Sequence, residues 1–276
     1  MKKINFLILI TICPLIIFGQ SDSITIKKTL EEVNVNAIKA DSKTPIAYTD
    51  LKKQEIEKSN LGQDLPFLIS LTPSIVSTSD AGAGIGYTGF RIRGTDPSRI
   101  NVTINGIPLN DSESQGVWWV NMPDFASSLE NIQIQRGVGT STNGAAAFGA
   151  SINLKTLGIK EQAYAKTSNS MGSFNTLKNN VELGTGTIND KFSFDARLSR
   201  ITSDGYIDRA TSDLKSFYLQ GSYFDDNSII RGIVFSGKER TYQAWNGVPK
   251  NFLDTNRTYN SYTYENEVDN YLQTHY

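Results

Sequence analysis

The chain has 276 residues, 27 basic and 28 acidic side chains, 38% hydrophobic residues, one cysteine and one histidine. That length allows one large domain or two ordinary ones, and near-neutral charge offers none of the clustered cations that nucleic-acid phosphates demand. A single histidine and a single cysteine exclude multi-His zinc sites, Cys clusters and any intrachain disulfide, and a Ser-His-Asp mechanism would rest wholly on His275.

Residues 1–19 read as a secretory signal peptide. Lys2 and Lys3 precede an apolar run from Phe6 to Phe18, and Gly19 supplies the small residue at its end. The run is shorter than the ~20 apolar residues that cross a bilayer as a helix. Cys13 lies inside it and leaves with it, and Ile12 stands where a lipid-attachment cysteine would need a small residue. Removal of Lys2 and Lys3 leaves 25 basic against 28 acidic residues, a net charge of about −3.

Residues 20–42 are polar and lack a sustained apolar period, as expected of a flexible arm. Within it, Val33, Val35 and Ala37 alternate with Glu32, Asn34 and Asn36, the period of a strand. Such a strand either joins its own domain's sheet or adds to the sheet edge of another protein.

Residues 43–156 read as a compact α+β domain. Asp50 is a candidate N-cap for a short helix through Lys58, and Gly62 to Leu71 for a second, interrupted early by Pro66. Phe90 to Gly94 predicts a strand ending in a glycine turn. Asn101–Ile104 and Ile107–Leu109 flank Asn105-Gly106, the strongest short-range hairpin signal, with Pro108 marking the second strand as short or at an edge. Glu130 to Gln135 alternates again, ahead of small residues from Gly137 to Ser151.

Two motifs in this domain are readable as cofactor sites and fail on context. Gly84-Ile85-Gly86-Tyr87-Thr88-Gly89 fits a dinucleotide fingerprint in letters, but a strand-like run follows it where a helix is required. Gly137, Gly139, Gly144 and Gly149 suit tight turns and close backbone approach, and no G-K-[ST] follows them. No cofactor is expected. A polar loop, Asn110 to Gln115, runs into Trp118 and Trp119, a pairing suited to a ligand surface or to plain packing. Tyr87, Gln115, Trp118 and Trp119 are the candidate ligand contacts. Asp111 and Glu113 are loop carboxylates that would serve a secreted carbohydrate-active enzyme, but nothing fixes their separation.

From residue 157 the texture changes. Phe192, Phe194, Ala196 and Leu198 share one face of a run whose other face is Ser193, Asp195, Arg197 and Ser199. Phe217, Leu219, Gly221 and Tyr223 similarly oppose Ser216, Tyr218, Gln220 and Ser222. Weaker alternation covers 163–170, 179–186 and 229–236. From Asn189-Asp190 onward the connections run short, long, short, long, which fits an up-and-down transmembrane barrel better than a water-soluble sheet. Five strands and the start of a sixth are expected, where the smallest bacterial barrels need about eight, so the sequence is read as part of a longer chain.

In order and spacing, these pieces resemble the TonB-dependent outer-membrane receptor family, in its Bacteroidetes-type form. Leu30, Glu31, Glu32, Val33, Asn34, Val35, Asn36 and Ala37 resemble its TonB box. Arg91, Arg93 and Gly94, with the Asn105-Gly106 turn, resemble the core of its plug domain, with Asn105 where aspartate is usual. Arg136-Gly137, Gly144 and Gly149 resemble the run that closes the plug, with Val138 for the usual proline and Asn143 for the usual aromatic. The resemblance implies a plug inside a barrel of about 22 strands and active uptake without catalysis. Its implied partners are TonB with ExbB and ExbD, outer-membrane lipid, a scarce small ligand and a surface lipoprotein. The short arm favours an iron–siderophore, haem or similar metal chelate over an oligosaccharide, and an importer of oligosaccharide or vitamin is the alternative. A passive porin is the rival from another class, disfavoured by the ~110 residues ahead of the barrel texture.

Overall fold

The structure, a computed structural model, describes residues 39–139, 148–262 and, for their backbone, 272–275. The signal segment, residues 30–37 and Gly144 lie outside the described residues.

The first sheet is mixed and five-stranded. Its strands are β1 (Ala47–Lys52), β4 (Ile100–Ile104), β5 (Ile107–Pro108), β6 (Leu129–Arg136) and β7 (Ala150–Thr156), in the order β1-β6-β7-β4-β5. Only β4 and β7 run parallel. Helices α1 (Lys53–Ser59) and α2 (Leu65–Leu68) precede a separate hairpin of β2 (Ile75–Ser79) and β3 (Thr88–Ile92). The expected Asp50 N-cap is not formed. Asp50 belongs to β1 and accepts from Gln133 Nε2 at 3.1 Å, while Lys52 occupies the cap and its N–H donates to Glu55. The second helix shrinks to four residues with Pro66 in its first turn, where a missing N–H costs nothing.

The turn chemistry held. Asn105 (φ 50°) and Gly106 (φ 85°) are both left-handed, as a two-residue I′ turn between β4 and β5 requires. The Asn105 amide also ties this hairpin to β7, donating to Thr156 Oγ1 at 2.9 Å and accepting from Thr156 N at 3.0 Å. Pro108 sits in a two-residue strand at the sheet edge. Apolar residues of the helices, the hairpin and the sheet, among them Ile56, Leu68, Phe90, Val102, Ile132 and Ile152, bury one continuous core.

The second sheet is an antiparallel meander of β8 (Tyr164–Gly172), β9 (Thr176–Gly184), β10 (Phe192–Ser203), β11 (Ser212–Phe224), β12 (Ile229–Tyr242) and β13 (Leu272–His275). Its faces are inverted relative to a water-soluble sheet. On β10, Phe194 and Leu198 are 52% and 64% exposed, whereas Asp195 and Arg197 are 6% and 3% exposed. The same holds for outward Val181, Leu183, Leu219 and Val234 against inward Lys178, Asn180, Glu182 and Gln220. A wall with apolar side chains outside and polar ones inside is the pattern of a transmembrane barrel. The described strands therefore comprise an α+β domain followed by the opening strands of such a wall.

Candidate functional site

The inward face of the wall meets the mixed domain through one buried ionic cluster. Met122-Pro123 delivers Asp124 in a left-handed conformation (φ 53°) at the head of a 3-10 turn over Phe125–Ser128. Its carboxylate takes Lys178 Nζ at 2.7 Å and Arg197 Nη1 at 3.4 Å, both from the wall. Asn180 and Ser199 add hydrogen bonds at 2.6 and 2.7 Å from the wall, and Asn60 and Ser127 at 3.1 and 2.6 Å from the domain itself. Burial opposes the charge, but Lys178 and then Arg197 outweigh it and hold the carboxyl down at about 2. Its charge is what satisfies two buried wall cations. Around it, Ser216 donates to Pro123 O at 2.7 Å and Gln220 to Leu157 O at 3.0 Å. Phe125 packs on Tyr218 and Phe235, with ring centres 6.3 and 5.0 Å apart.

The glycine loop between β2 and β3 rises to the end of the wall that carries the connection 204–211 and the described residues 243–262 that follow β12. There Ala81 O accepts from Tyr206 N at 2.8 Å and from Ile207 N at 3.2 Å. Beside it lies a cavity of about 370 Å³ lined by Asp80, Tyr87, Trp118, Asn121, Glu239 and Trp245, together with Val120. Tyr87 meets Trp245 edge to face at 5.3 Å, and Trp245 continues to Tyr262 at 6.4 Å. Burial pushes the Asp80 carboxyl up to about 6. Burial, with Glu239 nearby, pushes the Tyr87 phenol up to about 12. The cavity thus offers aromatic faces and acidic hydrogen-bonding groups side by side, the composition of a small-molecule site.

Of the four candidate ligand contacts, Tyr87 and Trp118 line this cavity. Trp119 does not: it is buried against Phe90 with ring centres 5.8 Å apart. Gln115 turns its amide back onto Ser112 O at 3.0 Å and shapes its own loop. Asp111 likewise closes that loop, accepting from Ser114 N at 2.7 Å and Glu113 N at 3.0 Å, which holds its carboxyl below the usual range.

The remaining sequence-marked residues stand in the mixed domain. Arg91 pairs with Asp96 at 3.2 Å. Arg93 and Gly94 form the left-handed turn after β3. Arg136 donates to Thr49 Oγ1 at 2.7 Å and to Tyr48 O, joining β6 to β1. Gly137 N donates to Gly149 O at 3.0 Å. A Cβ on Gly149 would lie 2.8 Å from Arg99 O, so only glycine fits this crossing. Residues 39–40, the first described part of the arm, lie on this sheet. Gln133 Nε2 donates to Ala40 O at 2.9 Å and Ala40 N donates to Gln133 Oε1 at 2.8 Å.

Sequence reasoning missed Asp124 and Asp80. The available signal for Asp124 was Lys178 and Arg197 on the non-lipid face of strands, since buried cations require a counter-charge.

Residues 40–151 match the family model described as the TonB-dependent receptor plug domain. The vitamin B12 transporter BtuB of Vibrio vulnificus (strain YJ016) is 28% identical over 155 residues, which is 56% of this chain and 24% of that protein. Among solved structures, the pyoverdine outer membrane receptor FpvA from Pseudomonas aeruginosa PAO1, bound to pyoverdine, superposes with a TM-score of 0.60 at 14% identity, covering 72% of this chain and 28% of that one. The ferric-catecholate import receptor Fiu from E. coli K12 gives 0.58 at 15% identity, over 72% and 28%. The two structures speak for the fold, and the chain spans about a quarter of the length of each of these three proteins.

Proposed function

We propose that this chain, a TonB-dependent outer-membrane receptor by its plug domain and the wall strands that follow, serves the energised uptake of a scarce small ligand and performs no catalysis. Residues 1–19 direct export, 20–42 form a periplasmic arm with the TonB box at 30–37, 43–156 form the plug, and 157–276 begin the barrel. TonB pairs with the box as an added strand. The observation that carries this reading is the packing of the plug, through Asp124, against the polar inner face of a wall whose outer face is apolar.

The ligand binds in the cavity between Tyr87, Trp118 and Trp245, and is an iron–siderophore, haem or similar metal chelate. The pyoverdine and ferric-catecholate receptors support this class through shared fold only. The relative named for vitamin B12 favours a second reading, uptake of a vitamin.

Deleting residues 30–37 in the full-length protein should abolish energised uptake and leave ligand binding intact; normal uptake after the deletion would sink the mechanism. Ligand class is decided by titrating the purified full-length protein with cyanocobalamin and with ferric siderophores. Trp118 and Trp245 fluorescence reports occupancy of the cavity they line.

A further inference from the structure

The cavity beside the glycine loop is lined by two carboxylates and, among the described residues, by no base. Asp80 comes from the mixed domain and Glu239 from β12. Burial lifts the Asp80 carboxyl to about 6, and no cation among the described residues offsets that lift. A carboxylate drawn out of water in this way calls for a counter-charge.

The other walls favour the same sign of ligand. Tyr87 and Trp245 meet with ring centres 5.3 Å apart and planes at 76°, which makes a corner, and Trp118 lines the cavity beside them. An aromatic face carries the negative part of the ring quadrupole, so it attracts a cation, and Trp does so most strongly. A hard divalent ion fits poorly, because calcium takes six to eight oxygen ligands and three of the residues lining this cavity are aromatic. A weakly hydrated organic cation fits both the rings and the carboxylates. At about 370 Å³ the cavity lies near the lower end of small-molecule sites, the size for one arm of a chelate.

We propose that this cavity selects its ligand by a positively charged organic group, an ammonium or guanidinium arm seated in the corner of Tyr87 and Trp245 with Asp80 as its counter-ion. This selection deepens, and rests on, the reading of the cavity as the site of the uptake ligand. It narrows that ligand to a chelate with a cationic arm and rejects chelates whose pendant groups are anionic. Glu239 adds negative potential from the wall side, so plug and wall recognise the arm together.

The test uses the full-length protein in detergent micelles at pH 8, where Asp80 is ionised. The probes are choline and 3,3-dimethylbutanol, its uncharged carbon isostere, and saturation-transfer NMR on their methyl signals gives each dissociation constant. Choline should bind about tenfold more tightly. Asp80→Asn and Trp245→Leu should each reduce that preference to about threefold or less, since each removes one of the two attractions. Heat-modified gel mobility verifies that each variant is a folded barrel. Equal affinities, no saturation transfer to choline, an unchanged preference in either folded variant, or displacement of choline by calcium at equal concentration would overturn the cationic selection. A choline preference that the ferric siderophore or cobalamin bound by the protein fails to displace would keep the cation site and sever it from the uptake ligand.

Discussion

The Asp124 carboxylate and the Lys178 ammonium meet at 2.7 Å, and neither side chain is more than 2% exposed. Removing the carboxylate alone should be costly, because Lys178 and Arg197 would remain buried without their counter-charge. Asp124→Asn is expected to destabilise the plug against the wall by about 3–5 kcal/mol. The double variant D124L/K178M should recover part of that loss. Urea titration with a probe on the plug measures both, and an Asp124→Asn midpoint equal to wild type would remove the cluster's structural role.

The same cluster sets an acid limit. The Asp124 carboxyl is held at about 2 when folded, against an ordinary value near 4. Because its folded pKa is depressed, its contribution of about 2 kcal/mol is fully present above pH ~4 and is lost as pH falls through about 2. Plug unfolding midpoints should therefore fall across that window in the wild type and change less in D124L/K178M.

Gln133 holds Ala40 by donating to its carbonyl and accepting from its N–H, the bonding a neighbouring strand would supply. Gln133→Ala should release residues 39–41, seen as faster tryptic cleavage after Lys39 and Lys43. Gln133→Glu keeps the acceptor for Ala40 N and loses the donor, so it should cleave at an intermediate rate. Identical rates for all three proteins would show that other contacts hold the arm.

In the cavity, the raised pKa of Asp80 makes its charge a variable near pH 6. A ligand that donates hydrogen bonds to this carboxyl should bind more tightly as pH rises through about 6, and Asp80→Asn should flatten that profile. Trp118→Ala should weaken binding by roughly tenfold or more, the scale of an aromatic anchor. Calorimetric titration at pH 5 and pH 7, with the compound selected by the fluorescence titrations, measures both effects.

Gly149→Ala should lower plug stability by about 1–3 kcal/mol through the forced shift at Arg99 O. Gly94→Ala meets no neighbouring atom, so its cost is confined to left-handed backbone strain. Denaturant midpoints of the two variants separate crowding from strain.

Local patterns in the sequence were sufficient for much of the fold. Phe192 to Leu198 declared both a strand and the face it turns outward, since period 2 fixes the face once one residue is placed. Asn105-Gly106 and Asn189-Asp190 marked their turns through residues that tolerate left-handed backbone. Asp50 misled because its helix-capping chemistry is local while its actual partners, Asn131 and Gln133, lie about eighty residues away. The two adjacent indoles gave no sign of their separate fates: Trp119 enters the core, and Trp118 remains 58% exposed at the cavity. The Asp124 cluster was hidden for the same reason as the partners of Asp50, its cations lying on strands far along the chain.

The polar inner face of the wall has a mechanical consequence. An oily plug sliding out of an oily bore would expose apolar surface at about 25 cal/mol for each Å² uncovered. At this boundary the apolar contacts are small and separate, Phe125 on Tyr218 and Phe235, Tyr87 on Trp245, and Ile85 and Val120 against Ile201 and Leu214, and between them lie polar bonds such as Ser216 to Pro123 O and Gln220 to Leu157 O. Water can take over such bonds one at a time at small net cost. Resistance to a pull on the plug is therefore divided among these small apolar contacts and two ionic catches, the buried one on Asp124 and an exposed one where Glu57 of α1 takes Lys166 of β8 at 2.8 Å.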